Sequence, residues 1–244
     1  MTKRAIHKKY ANTAKESGFL PHIAYDSVIF GFDGETLKIL ILEYHNTKLF
    51  ALPGGFVKEH ESLNDAVRRG LHDRTGLENI YLEQFHTFGS LERFVPATIE
   101  QIMLNNGHLN SGEEHWLLER FISVGYYALI NFNEVNPQPD TLSDRCEWYP
   151  VNELPPLMLD HDEMVQKALQ TLRDNINKKL VGANLLPEKF TMKQYQQVYE
   201  AILGEKIRRT TFQRQILGLD ILKRHEKQFL GKAHKAPFLY SFIK

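Results

Sequence analysis

The chain holds a single cysteine, Cys146, among its 244 residues. A lone thiol excludes an intramolecular disulfide and any thiolate zinc site. Apolar runs of bilayer-spanning length are missing, and so is an early hydrophobic stretch of the signal-peptide kind, which reads as a cytoplasmic chain with no membrane partner. Glycine and proline are scarce, at 15 and 10 residues, too few for a collagen-like or low-complexity polymer. Net charge is absent as well, with 30 Lys and Arg against 30 Asp and Glu. What remains is a composition of 42% apolar and 25% charged residues, able to bury a core and to fold as one domain of about 150 residues with a smaller companion.

The neutral total hides an asymmetry. From Pro187 to Lys244 there are 12 Lys and Arg against 5 Asp and Glu, whereas Met1 to Leu186 holds 18 against 25. A basic tail on an acidic body fits a nucleic-acid-binding module joined to something else, or simply a solvated lysine-rich surface.

Residues 1–21 lack sustained periodicity and read as an N-terminal arm. Two β-rich runs, Tyr25 to Phe32 and Leu37 to Tyr44, flank Asp33-Gly34, a hairpin signature. Further strands are expected at Ile80 to Phe88, at Phe121 to Asn131 and around Cys146 to Tyr149. Between them, Pro96 to Arg120 mixes helix formers with turn residues and reads as an insertion without an assigned role. Asp160 to Lys179 carries Met164, Val165, Ala168, Leu169, Leu172 and Ile176 at helical spacing. The composition changes across Gly182 to Pro187, which places the domain boundary there, with 22–182 as the first domain and 183–244 as the second.

The segment Leu52-Pro-Gly-Gly-Phe-Val-Lys-Glu-His-Glu61 leads into a helix from Ser62. Ser62 and Asp65 form a variant capping box, Leu63, Ala66, Val67 and Leu71 an apolar stripe, and Gly76 a stop. A strand, a glycine turn and a capped helix are expected in that order. An i, i+4 ion pair of Asp73 with Arg69 is the bland reading of that acid, worth about 0.3–0.5 kcal/mol. Gly70 costs about 1 kcal/mol relative to alanine inside a helix, so it is expected to make room for a ligand or a neighbouring chain.

In the tail, Thr191 and Gln194 form another capping box, and Met192, Tyr195, Val198, Tyr199 and Ile202 share one face up to Gly204. A second helix is expected from Thr210 to Leu217, with Phe212 and Ile216 inward. A strand begins at Ile221-Leu222, and Phe238, Tyr240 and Phe242 alternate as its return. Helix, turn, helix and two-stranded wing make a winged-helix pattern.

The run from Gly55 resembles the Nudix signature, matching at Glu61, Arg69, Leu71, Gly76 and Leu77. Where that signature has three glutamates, at spacing i, i+3 and i+4 on one helix face, this chain has Gly70, Asp73 and Arg74. One metal ligand is thereby replaced by hydrogen and another by a guanidinium, which opposes Mg²⁺ by Coulomb repulsion. Together with the tail, the chain resembles the Nudix-related transcriptional regulators over roughly residues 22–244. The fold class implied is α+β, a Nudix-like α/β/α sandwich with a mixed sheet followed by a winged helix-turn-helix domain. The function implied is a ligand-responsive DNA-binding regulator, a repressor and homodimer, with no catalytic residue, no metal and no cofactor. The alternative is a Nudix hydrolase of nucleoside diphosphate compounds with an accessory nucleic-acid-binding domain.

Lys58, Glu61, Arg69, Asp73, Arg74, His86 and Arg93 are the candidate ligand-binding residues. Between a sugar such as arabinose and ADP-ribose, loss of the metal ligands favours the sugar as effector. Glu61 is equally expected to fix the loop ahead of the helix. For operator DNA, Thr210, Thr211, Gln213 and Arg214 are expected to read base edges, and Arg208, Arg209, Lys232 and Lys235 to hold phosphates.

Overall fold

A computed structural model of the protein describes residues 18–78, 80–139, 143–177, 184–228 and 236–243. Its organising element is strand β1 (Phe19–Phe32), 14 residues long. Strand β2 (Leu37–Tyr44) returns antiparallel to its second half, with Phe30 opposite Ile39, as Asp33-Gly34 led one to expect. Asp33 accepts the backbone N–H groups of Glu35 and Thr36 to close the turn. Strand β3 (Phe50–Ala51) extends the edge beside β2. Strand β4 (Gly54–Lys58) pairs antiparallel with the first half of β1, with Tyr25 opposite Gly55 and Asp26 opposite Gly54.

That strand corrects the expected glycine turn. A Cβ on Gly54 would lie 2.5 Å from Asp26 Oδ1, and one on Gly55 would lie 2.5 Å from the Tyr25 hydroxyl. The glycines are there for close approach between paired strands, not for a change of direction.

Helix α1 (Leu63–Thr75) starts at Ser62, whose hydroxyl accepts the Asp65 N–H, and ends at Gly76 in the left-handed region with φ of 70°. Strand β5 (Tyr81–Phe88) follows, then a 3-10 turn (Leu91–Arg93) and helix α2 (Pro96–Asn105). A second 3-10 turn (Trp116–Leu118) completes the insertion. Strand β6 (Ile122–Ile130) runs parallel to β1 and antiparallel to β5, and β7 (Ser143–Pro150) pairs with β2. Seven strands make one mixed sheet.

The apolar stretches Val28 to Phe32 of β1, Ile39 to Leu42 of β2 and Val124 to Ile130 of β6 follow from burial on both faces. Ile29, Leu40, Leu42, Tyr126 and Ala128 point towards α1, where Ala66, Val67 and Leu71 meet them. Val28, Phe30, Ile39, Ile41, Tyr127 and Leu129 point the other way, onto helix α3 (His161–Asn175) with its Met164, Val165, Ala168, Leu169 and Leu172. This is an α/β/α sandwich.

The tail has the expected order. Strand β8 (Phe190–Thr191), helix α4 (Met192–Leu203), helix α5 (Arg209–Leu217), strand β9 (Leu222–Lys227) and strand β10 (Phe238–Phe242) give a three-stranded sheet β8-β10-β9 behind two helices. The Thr191 and Gln194 capping box is complete in both directions. Phe212 and Ile216 are buried against Tyr195 and Tyr199, and this cluster is continuous with the α3 side of the sandwich core. Of the arm expected at 1–21, residues 1–17 lie outside the described residues, and from Phe19 the chain is already in β1; of the boundary expected across Gly182 to Pro187, residues 182 and 183 lie outside the described residues. Among the described residues no helix is long and apolar enough to cross a membrane.

Candidate functional site

A cleft opens where β1, β4, the insertion and the start of α3 converge. Tyr25, Asp26 and Phe56 form its strand side. Ile99, Ile102 and Met103 of α2 form an apolar wall, and Phe121 stands beside Phe56 with ring centroids 5.4 Å apart. The insertion, unassigned from sequence, therefore builds half of the site. Three of the cleft's polar side chains interlock. Arg93, 7% exposed, donates from Nε to Asp160 Oδ2 at 2.9 Å and from Nη2 to Oδ1 at 3.2 Å. Its Nη1 donates to the Phe121 carbonyl at 3.1 Å, and Asp26 lies 3.8 Å away. Asp26 accepts from Ser123 Oγ at 2.5 Å and faces His161 Nε2 at 3.7 Å, while His161 Nδ1 accepts the Leu52 N–H.

The signature helix presents a different picture. Arg69 grips Glu61 through Nε at 3.1 Å and Nη2 at 2.7 Å, and also donates to the Phe56 carbonyl. Glu61 in turn accepts the Lys58 N–H at 2.8 Å, so it does fix the loop ahead of α1. The expected Asp73–Arg69 pair is corrected here: Asp73 is 60% exposed, with His72 Nδ1 at 3.9 Å, and Arg69 is committed to Glu61. A bidentate, half-buried pair anchored to a loop N–H wins over a solvated helix-surface pair.

Gly70 has a physical reason. A Cβ there would overlap the Tyr25 hydroxyl, so the room it makes is filled by this chain's own phenol and not by a ligand. Burial pushes the Tyr25 hydroxyl up to about 12, against the pull of Arg69 and Arg74, so it stays a neutral donor. The donor set does not fit magnesium. At the three glutamate positions a phenol fills the space over Gly70, Asp73 faces solvent, and Arg74 lines the cleft. No group of three or more His, Cys, Asp or Glu is placed to hold a metal ion among the described residues.

Of the candidate ligand residues, the structure brings Arg74 and Arg93 to the cleft. Glu61 and Arg69 serve each other, Lys58 is exposed at the end of β4, and His86 sits on β5 with its Nε2 3.1 Å from Lys167 Nζ, off the cleft lining. The sequence reading missed Asp26, Tyr25, Asp160 and His161. One signal was available, since Asp26 puts a carboxylate into a central strand whose other residues are mostly apolar. On α5, Arg209, Thr210, Thr211 and Arg214 are exposed, Gln213 is half-buried, and Arg208 stands exposed at the N-cap position without a side-chain capping bond. Lys232 and Lys235 lie outside the described residues.

The Arg69 hydrogen bonds hold the Glu61 carboxyl below the usual carboxylate range. A depressed folded-state value contributes stability above the unfolded value of about 4.3 and loses it as pH falls through the folded one. The stability gap between the wild type and Glu61→Gln is therefore expected to be largest at neutral pH and to narrow on acidification below pH about 4, as urea titrations at pH 7, 4 and 3 would measure. A constant gap would show that the charge of Glu61 does not matter.

The NUDIX domain family model matches residues 20–168, and the NrtR DNA-binding winged helix domain model matches residues 182–242. The ADPR responsive transcriptional repressor NtrR of Acinetobacter baylyi is 27% identical over 229 residues, covering 91% of this chain and 82% of that protein. The crystal structure of Shewanella oneidensis NrtR aligns with a TM-score of 0.70 at 27% identity, over 91% of this chain and 94% of that one. The same protein complexed with a 27mer DNA aligns at 0.69 and 27% identity, over 91% and 93%. A MutT/nudix family protein from Enterococcus faecalis shares the fold over 100% of this chain and 99% of its own, at a TM-score of 0.67 and 19% identity.

Proposed function

This chain belongs to the NUDIX family and carries an NrtR-type winged helix, and from that premise we propose that it is a transcriptional repressor that binds ADP-ribose in the cleft without hydrolysing it. Residues 22–182 sense the effector and residues 183–244 bind operator DNA, as a homodimer on a palindromic site. The observation that carries the reading is the exchange on α1, where Gly70 lets the Tyr25 hydroxyl fill the space of a metal-binding carboxylate. A helix so altered still borders the cleft through Arg74 and gives up the means of metal-assisted attack.

The effector preference moves from a free sugar to ADP-ribose for three reasons. The Acinetobacter baylyi relative is named as ADPR responsive. One wall of the cleft is apolar and aromatic, with Phe56, Phe94, Phe121, Ile99 and Met103, which suits a purine ring and offers the hydroxyls of a lone pentose no partner on that side. Arg74 lines the same cleft, and a guanidinium is suited to bidentate phosphate binding.

Calorimetry with ADP-ribose and with pentoses tests the effector, and product analysis of ADP-ribose incubated with Mg²⁺ or Mn²⁺ tests the lost chemistry. Heat with ADP-ribose, silence with pentoses and no product are expected. Turnover on the order of 1 s⁻¹ would return the chain to the hydrolases. For DNA, Arg214→Ala should cost about 1–3 kcal/mol on the preferred duplex and little on a random one. Lys232→Ala should weaken both alike and reduce the salt slope by roughly one counterion. Parallel losses from both variants on both duplexes would remove the base-reading role of Arg214.

A further inference from the structure

Helix α3 joins the cleft to the DNA-binding module. Its 15 residues span about 22 Å at 1.5 Å per residue. At its C-terminal end, Arg173 Nε donates to the Ile202 carbonyl of α4 at 2.8 Å, and the Tyr199 hydroxyl of α4 donates to the Ile176 carbonyl at 3.1 Å. Helix α4 then grips the turn before α5 and α5 itself: Glu200 accepts the Ile207 N–H at 3.0 Å, Gln196 donates to the Ile207 carbonyl at 2.8 Å, and Phe212 of α5 packs against Tyr195 and Tyr199. Every link is a direct contact, so displacement of α3 reaches the recognition helix through packed side chains.

The N-terminal end is set in an unusual way. Asp160 occupies the N-cap position, where an aspartate ordinarily accepts an N–H of the first turn, yet it makes no side-chain capping bond. Its carboxylate is turned to Arg93 instead. The residue before it, Leu159, lines the cleft with φ of 53°, a left-handed conformation that a leucine adopts at a cost. Two arrangements therefore compete for one carboxylate: the Arg93 guanidinium in the cleft, and the N–H groups of its own helix.

We propose that Asp160 is a two-position latch. In one position it holds Arg93, as observed; in the other, reached when a phosphate of the effector takes the Arg93 guanidinium, Asp160 turns back to cap α3, Leu159 is released, and the shift of α3 is delivered to α4 and α5. The proposal rests on the ADP-ribose reading only for the identity of the anion. The exchange strands no buried charge. Phosphate replaces carboxylate on Arg93, the helix N-terminus compensates the Asp160 charge through its N–H groups and dipole, and Asp26 keeps Ser123 and His161 beside it. An uncharged ligand would have no such lever, because it does not compete for the guanidinium with comparable strength.

The test is amide hydrogen exchange on the full chain, with Arg93→Gln and Asp160→Asn beside the wild type, each with and without ADP-ribose. Asn remains a capping side chain but loses the ion pair, so the two variants open the latch from opposite sides and either suffices if the other misfolds. Without ligand, both are expected to slow exchange at Asp162 and Glu163, the first-turn amides that the cap protects, and to speed exchange in α4 several-fold. ADP-ribose should give the wild type the same pair of opposite changes and should add little to either variant. Faster exchange at both places would mean that the Arg93–Asp160 pair is merely structural, and an unchanged α4 would mean that α3 transmits nothing; either overturns the latch. If ADP-ribose produces no heat with the wild type, the effector assignment falls, while the ligand-free comparison still decides the latch.

Discussion

Gly70→Ala is expected to destabilise the protein by about 1–3 kcal/mol, the usual range for overpacking, although helix propensity alone would make it stabilising by about 1 kcal/mol. The added methyl has nowhere to go. Its Cβ would overlap the Tyr25 hydroxyl and stand 3.1 Å from Cζ of the same ring, and Tyr25 is 2% exposed, locked between the strands and α1. Tyr25→Phe removes the overlapping oxygen and should restore much of the loss when combined with Gly70→Ala. A thermodynamic cycle of the two substitutions is therefore expected to show strong coupling. Additive effects would mean that Tyr25 does not fill this space. Reinstating the signature residue with Gly70→Glu should fail more severely, so acidic side chains at 70, 73 and 74 alone are not expected to create an enzyme.

Phe212→Ala carries the other large effect, about 3–5 kcal/mol for truncating a buried phenylalanine. The ring is 1% exposed and lies against Tyr195 and Tyr199, at centroid distances of 5.6 and 5.2 Å. The cluster holding it also holds Phe30, Ile39, Tyr127 and the apolar face of α3. A core shared in this way predicts one cooperative transition. Denaturant melts followed by far-UV signal and by aromatic fluorescence should shift together in Phe212→Ala. If the tail melted first and left the remainder at its wild-type midpoint, the shared core would not couple the two parts.

Local chemistry made some elements legible in the sequence. The caps of α1 and α4 are read within four residues, from Ser62 to Asp65 and from Thr191 to Gln194, and the observed bonds are the expected ones. The parts of the strands buried on both faces announce themselves by short apolar runs, as at Val28 to Phe32 and Ile39 to Leu42. What escaped depends on partners far apart in sequence. Gly54 and Gly55 look like a turn until Asp26 and Tyr25 are placed against them, and Gly70 looks like a vacancy until Tyr25 arrives from 45 residues earlier. Arg69 had a local candidate in Asp73, and it chose Glu61 because that carboxylate already held the Lys58 N–H. Two site residues were visible as types: the charge of Asp26 in a mostly apolar strand, and an arginine at 93. Their partnership through Asp160 was not, because 67 residues separate Arg93 from Asp160.

Helix α2 belongs to none of the strands and contributes Ile99, Ile102 and Met103 to the cleft from a segment inserted between β5 and β6. Its inner contacts are a small cluster with Ala51, Met158 and Tyr44, separate from both layers of the sandwich core. Substitutions on the cleft side of this wall thus change the shape offered to a ligand while leaving the two layers of the sandwich core as they are, whereas substitutions at its inner contacts reach Met158 and Leu159, next to Asp160. One helix can therefore be re-edited to offer a cleft of another shape without redesign of the sheet that carries it.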